Sequence, residues 1–286
     1  MSHGEGPASA GTGFSVRFWG VRGTIPCPGP ATLRYGGNTA CVEMLCGGRR
    51  LIFDAGSGLR LLGGKMVRNG ERIDSHLFFT HTHMDHVIGL PFFRPAYSAS
   101  NRLQFWSGHL ASQGRGIEQV LSQLMQPPFF PVPLDIMHAC IAFNDFAPGD
   151  LIEPGEGIVI RTAALNHPGG AVGYRVEYGG RAACYVTDTE HVPGAPDKAV
   201  LDLIAGADLV IYDATYTDEE FERFRGWGHS TWQEGVRLCA AAGAARLVAF
   251  HHDPDHDDAA LDGIDAELRA ARPGSLVARE GMAIDL

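Results

Sequence analysis

The heptapeptide THTHMDH, residues 80–86, sets His81, His83, Asp85 and His86 within one short stretch. Residues i and i+2 at a strand end point the same way. His81 and His83 can therefore grip one ion. Asp85 and His86 follow on the turn into the next helix and can reach a second ion beside the first. Imidazole and carboxylate together suit zinc, with manganese or iron as alternatives. A loop that merely happens to be rich in histidine is the plainer reading. It fits poorly with the apolar run SHLFF that leads straight into the cluster.

Further candidates recur at the ends of apolar runs. They are His167 in LNHPGG, Asp188 in YVTDTE, Asp213 in IYDATY, His229 in GWGHSTWQE, and His251 or His252 in LVAFHHDP. Each alone carries little weight. Asp188 could cap a helix, and Ser230 or Thr231 could do the same for the helix after GHST.

Positioning these residues requires strands. FSVRFWG (14–20), ACVEMLC (40–46), RRLIFDAG (49–56), SHLFFTH (75–81) and LQFWSG (103–108) are β-rich. GIVIRTAALNH (157–167), AVGYRVEYGG (171–180), RAACYVTD (181–188), LVIYDA (209–214), RLVAFHH (246–252) and SLVARE (275–280) continue the pattern, with Gly179-Gly180 turning one hairpin. Helical spacing occurs at 116–125, and helices are expected at 198–207, 230–244 and 258–271. No repeat or low-complexity linker divides the chain. One domain over 13–286 is expected, after a disordered segment at 1–12.

The chain has 286 residues, 45% of them hydrophobic, enough for a sizeable core. Its formal net charge of −10 repels polyphosphate and argues against a long nucleic acid as the main ligand. None of the six cysteines forms a CxxC. The opening MSHGEGPASAGTG has no apolar run of the signal-peptide kind. No stretch is long and apolar enough to span a bilayer. The expectation is a cytoplasmic protein with reduced thiols and no membrane partner.

HTHMDH resembles the HxHxDH signature of the metallo-β-lactamase fold superfamily. The later landmarks follow in that superfamily's order, and the GYR that follows His167 is similar to the ribonuclease Z and phosphodiesterase branch. The resemblance implies an α/β fold, an αββα sandwich of two mixed β-sheets flanked by helices. It implies two divalent metal ions. His167 would complete the first site, Asp188 would bridge both, and His251 would complete the second, with His252 as the alternative. IYDATY resembles a HEAT segment, with Asp213 one methylene shorter than its Glu. GHST resembles the branch's His-Ser-Thr loop. Asp213 would then orient His229, which would contact the scissile phosphate and protonate the leaving oxygen. Asp85 would orient the nucleophile as well as hold metal. Asp54, in IFDAGSG, would act from behind the ligands. Asn38, His191 and His256 are candidate substrate contacts. His3, His76, His109 and His138 are read as bystanders.

The branch's tRNA-processing members carry a basic arm. Here the segment between His86 and His167 holds no Lys. The expected function is hydrolysis of a small phosphodiester, such as a cyclic nucleotide, by a hydroxide shared between the two metals. A homodimer is implied by resemblance alone. Hydrolysis of a carbon ester, thioester, lactone or β-lactam is the main alternative, and a non-enzymatic metal-bound sensor is the third. A redox di-iron role does not fit, because His83 stands where such proteins carry Glu.

Overall fold

The computed structural model describes residues 13–70 and 72–286. The expected disorder at 1–12, and His3 with it, lies outside the described residues.

Apolar residues alternating along the chain build two seven-stranded sheets. The first holds β1 (Phe14–Gly20), β2 (Cys41–Cys46), β3 (Arg49–Phe53), β4 (Asp74–Phe79), β5 (Arg102–Ser107) and β6 (Cys140–Asp145) in that order. The second begins with β7 (Leu151–Gly155), β8 (Ile158–Leu165), β9 (Ala171–Tyr178) and β10 (Arg181–Val186). It continues with β11 (Leu209–Asp213), β12 (Arg246–Phe250) and β13 (Leu276–Val277). The last strand, β14 (Ala283–Asp285), returns to pair with β1. Both sheets are mixed. β3 to β6 run parallel in one, and β10 to β13 run parallel in the other.

The inner faces of the sheets meet in an aromatic core containing Phe18, Phe53, Phe78, Tyr174, Tyr185 and Phe250. Phe53 stacks on Phe78 with centroids 5.3 Å apart. Burying each such ring contributes about 1.5–3 kcal/mol. Helices cover the outer faces. α1 (Gly58–Arg68) and α3 (Ile117–Leu124) pack on the first sheet, and between them in sequence α2 (Met84–Val87) carries Asp85 and His86. α4 (Lys198–Ile204), α6 (Trp232–Ala241) and α7 (Asp258–Ala271) pack on the second, with the single turn α5 (Asp218–Phe221) before α6. This is the αββα sandwich expected from the sequence. No helix among the described residues is long and apolar enough to cross a membrane.

Several elements differ from the sequence reading. α1 was not anticipated, because GLRLLGGKMVR carries three glycines that weaken a helix. Gly63 is there for space: a Cβ would sit 2.8 Å from the Phe93 ring. β6 and β7 were also missed. β6 is a short edge strand with no fully buried residue, and β7 contains Pro154, which edge strands tolerate.

Candidate metal centre

The parallel strands of both sheets end on one side of the sandwich. Asp54 follows β3, and His81 follows β4. Asp188 follows β10, Asp213 ends β11 and His251 follows β12. His167 joins them from the end of β8. Strand ends in such sheets are where loops converge on ligands.

Among the described residues, four overlapping groups of donor atoms form there; two of them bring in His229, with His167 and Asp188 or with Asp213 and His251, and the other two are free of it. Of these other two, His81, His83 and His167 make the first, and Asp85, His86, Asp188 and His251 make the second, all of it buried. In the second group, His86 Nε2 lies 3.2 Å from Asp85 Oδ2, from Asp188 Oδ2 and from His251 Nε2. His251 Nε2 lies 3.2 Å from Asp85 Oδ2 and 3.3 Å from Asp188 Oδ2. A tetrahedron with edges of this length has its centre roughly 2.0 Å from each corner, the reach of zinc to nitrogen and carboxylate oxygen. In the first group, His167 Nε2 lies 3.1 Å from His83 Nδ1. Asp188 turns its other oxygen this way, with Oδ1 3.8 Å from His81 Nε2 and 3.7 Å from His167 Nε2. One carboxylate thus faces both groups.

The far side of most rings is already occupied. His86 Nδ1 donates to Asp54 Oδ2 at 2.8 Å, and Asp54 also accepts from Thr80 N–H, Thr80 Oγ1 and Tyr185 Oη. His167 Nδ1 donates to the Gly228 carbonyl at 2.7 Å. His251 Nδ1 meets Thr215 Oγ1 at 3.1 Å, and His81 Nδ1 meets Thr80 Oγ1 at 3.1 Å. These partners hold Nδ1 and orient the rings, so that each Nε2 faces the centre. His81 Nε2 is buried and has no hydrogen-bond partner. An orphaned nitrogen aimed at two other imidazoles and a carboxylate fits a divalent cation.

Electrostatics point the same way. Burial opposes charge on His86, yet Asp188, Asp85 and Asp54 outweigh it and raise its pKa well above the ordinary histidine value. Burial works against the charge of Asp85 and Asp188 too, but the surrounding histidines hold both carboxyls below the usual range. Burial lowers His81, His83 and His167, keeping them neutral and able to ligate. Buried carboxylates this close demand a compensating cation.

Beside both groups stands His229. Its Nδ1 donates to Asp213 Oδ2 at 3.0 Å, so the shorter carboxylate still reaches it. The ring centroid lies 4.9 Å from His251 and 5.4 Å from His167. Burial disfavours charge on His229, but Asp213, then Asp188 and Asp85, outweigh it and push its pKa up to about 9. Asp213 is itself held by Thr215 and by the Ser230 N–H.

The profile of the family described as "Beta-lactamase superfamily domain" matches residues 49–252. The chain belongs to the β-lactamase superfamily. It is a metal-dependent hydrolase of that superfamily. A relative named Ribonuclease Z from Haloarcula marismortui is 27% identical over 93% of this chain and 95% of its own. Among solved structures, the metallo-beta-lactamase fold protein YhfI from Bacillus subtilis superposes with a TM-score of 0.72 at 18% identity, covering 96% of this chain and 100% of that one. A diphosphatase from the PhnP family gives 0.69 at 16%, covering 96% and 97%.

Other expected residues stand apart from the donors of this superfamily centre. His252 donates from Nε2 to the Ala278 carbonyl, and burial pushes its pKa down to about 3. It belongs to neither donor group; His251 does. Asn38 spends its amide on Glu280 and Ser57. His191 is buried, bonded to Ser230 Oγ and stacked on Phe221. His256 pairs with Glu220 through Nε2. These three are fixed in the surrounding framework. His109, read as a bystander, instead sits at the centre's edge, where its Nε2 meets Thr82 Oγ1 at 3.0 Å. Sequence reasoning also missed Thr80 and Thr215. Both lie inside the motifs already singled out, but a threonine there carries no signal of its own.

The cavity that touches the centre measures about 180 Å³ and is lined by His81, His83, His109, Gln113, Arg115 and Gly169 among others. A larger cavity of about 1000 Å³, lined by Arg49, Arg72 and Tyr178, lies at the opposite ends of the strands. Volume alone would mislead here; the donor atoms identify the site.

Proposed function

We propose that this chain is a phosphodiesterase that uses two divalent cations, zinc first among them, on a small phosphodiester. The observation that carries the reading is the His229–Asp213 pair standing against both donor groups. In this reading His81, His83 and His167 hold one cation, and Asp85, His86 and His251 hold the other. Asp188 offers one oxygen to each. Cations there supply an activated water near neutral pH and neutralise charge on phosphate oxygens.

The chain's own residues supply the rest. Asp213 accepts from His229 Nδ1–H and keeps the imidazolium charged. His229 Nε2, which has no partner among the described residues, donates its proton to the leaving oxygen. Asp54 and Thr215 keep His86 and His251 oriented from behind. Asp85, held by ligation and hydrogen bonds, orients the attacking water. Acyl transfer would not need a cationic acid at this position.

The relative named Ribonuclease Z and the diphosphatase both act on phosphorus–oxygen linkages by their names, which supports this class. The ribonuclease name favours RNA as a second reading. Against it stand the net charge of −10 and a 87–166 segment without Lys. The cavity beside His81 is also smaller than the roughly 300–1,000 Å³ of typical ligand sites. A small diester fits these features better than a folded RNA.

The test is turnover of bis(p-nitrophenyl) phosphate by protein reconstituted with zinc or manganese. A panel of cyclic mononucleotides, cyclic dinucleotides and short RNA, run in parallel, then ranks substrates. Full metal loading with no phosphodiester cleaved on that panel would reject the proposal.

A further inference from the structure

Among the described residues, four that are not glycine hold a positive φ: Thr24 at 64°, Asp54 at 61°, Asp188 at 57° and His251 at 63°. This backbone is unfavourable for a side chain with a Cβ, and most so for a β-branched one. Asp188 and His251 are donors, and Asp54 holds a donor. Thr24 is the fourth, and its side chain is exposed. The strain there serves the main chain. Thr24 N–H donates to Asp85 Oδ2 at 2.8 Å, the same oxygen that lies 3.2 Å from both His86 Nε2 and His251 Nε2.

The residues before it are fitted to the same donors. A Cβ on Gly23 would lie 2.3 Å from Cε1 and Nδ1 of His251, so only glycine leaves that ring its place. Gly23 N–H donates to the His252 carbonyl, and His252 N–H donates to Val21. Arg22 is fully buried. Its guanidinium donates to the carbonyls of Gly36, Asp253 and His256, tying this segment to the loop after β12 that carries His251.

We propose that residues 21–24 form a positioning element for the Asp85–His86–His251 half of the centre. Thr24 N–H orients the Asp85 carboxylate, Gly23 leaves room for the His251 ring, and Arg22 locks the segment against the His251 loop. The proposal rests on the two-cation reading above. It assigns Thr24 by its amide and not by its hydroxyl.

The experiment is a zinc titration of the metal-free full chain, followed by calorimetry and metal analysis. Wild type should take up two ions. Replacing the Thr24 amide by an ester, through incorporation of the α-hydroxy analogue, removes the N–H alone. It should weaken one ion by about 10–100-fold and leave the other unchanged. Thr24→Gly keeps the N–H and should bind both ions as wild type does. Gly23→Ala should retain one ion of two; should it fail to fold, the ester variant still decides. An ester variant that binds both ions normally, or weakens both equally, overturns the proposal. Loss of an ion in Thr24→Gly overturns it as well. A wild type that binds one ion only refutes the two-cation reading by itself, and the ester's effect on that ion still tests Thr24.

Discussion

At the scale of single residues, the roles proposed for His229 and Asp213 can be told apart from metal binding by experiment. Asp213 is fully buried and His229 nearly so, and their 3.0 Å bond keeps the imidazole protonated. An acid works only in its protonated form, so the rate must fall as pH rises through its pKa. With His229 at about 9, a descending limb is expected at or below that pH, since bound cations pull the value down. His229→Ala should lower kcat by about 10²–10⁴-fold, abolish that limb and leave metal content intact. Asp213→Asn should shift the same limb to lower pH, because its charge is what raises His229. Asp54 acts differently. It accepts from His86 Nδ1 and never faces a donor group. Asp54→Asn should weaken metal affinity by about 10–100-fold, read by titration with a chelating dye.

At the scale of elements, the loop before α6 carries both His229 and an exposed Trp227. Gly226 and Gly228 N–H both donate to the Glu190 carboxylate, which fixes the loop. Trp227 leans edge-on against Phe224, which stacks on Tyr216. Tyr216 in turn lies edge-on to His229 at 6.1 Å. An aromatic path therefore runs outward from the centre. Trp227→Ala should raise KM for bis(p-nitrophenyl) phosphate about fivefold with kcat unchanged, the loss of roughly 1 kcal/mol of ring stacking. α1 offers a stability test. Gly63→Ala raises helix propensity but drives a Cβ against Phe93, so it should cost about 1–3 kcal/mol in urea unfolding. This conflict is also why α1 was illegible in sequence. Its Leu59, Leu62 and Met66 carry the helical spacing, and the packing demand for Gly63 hides it.

At the scale of the whole molecule, the centre sits between two sheets and draws donors from both. Chelation should leave the buried Asp85 and Asp188 with only the imidazoles to balance their charge, and lower the melting temperature. Each ion at a thousandfold excess over its Kd contributes about 4 kcal/mol. Away from the centre, His76 in β4 stacks on Phe78 and Trp106 and accepts from the Trp106 indole N–H. Burial, then Arg49, pushes its pKa down to about 4. The unfolded chain binds that proton near the ordinary value of about 6.5. Stability of the metal-free protein should therefore fall as pH drops from about 6.5 toward 4. His76→Gln keeps an acceptor for Trp106 and should flatten that slope in denaturant titrations.

The sequence by itself determined the donor chemistry. His81, His83, Asp85 and His86 lie within one strand end and turn, and local geometry fixes how such neighbours point. It also determined most strands, because period-two burial is written in residue order. Only the tertiary structure decided between His251 and His252. Adjacent residues on an extended chain face opposite ways, and the positive φ at His251 turns that ring toward Asp85. It alone also recruited Thr24, Thr80 and Thr215, and it gave Asp54, expected behind the ligands, its partner His86. Such parts depend on groups from separate strands and loops meeting one another, and no spacing along one chain records such a meeting.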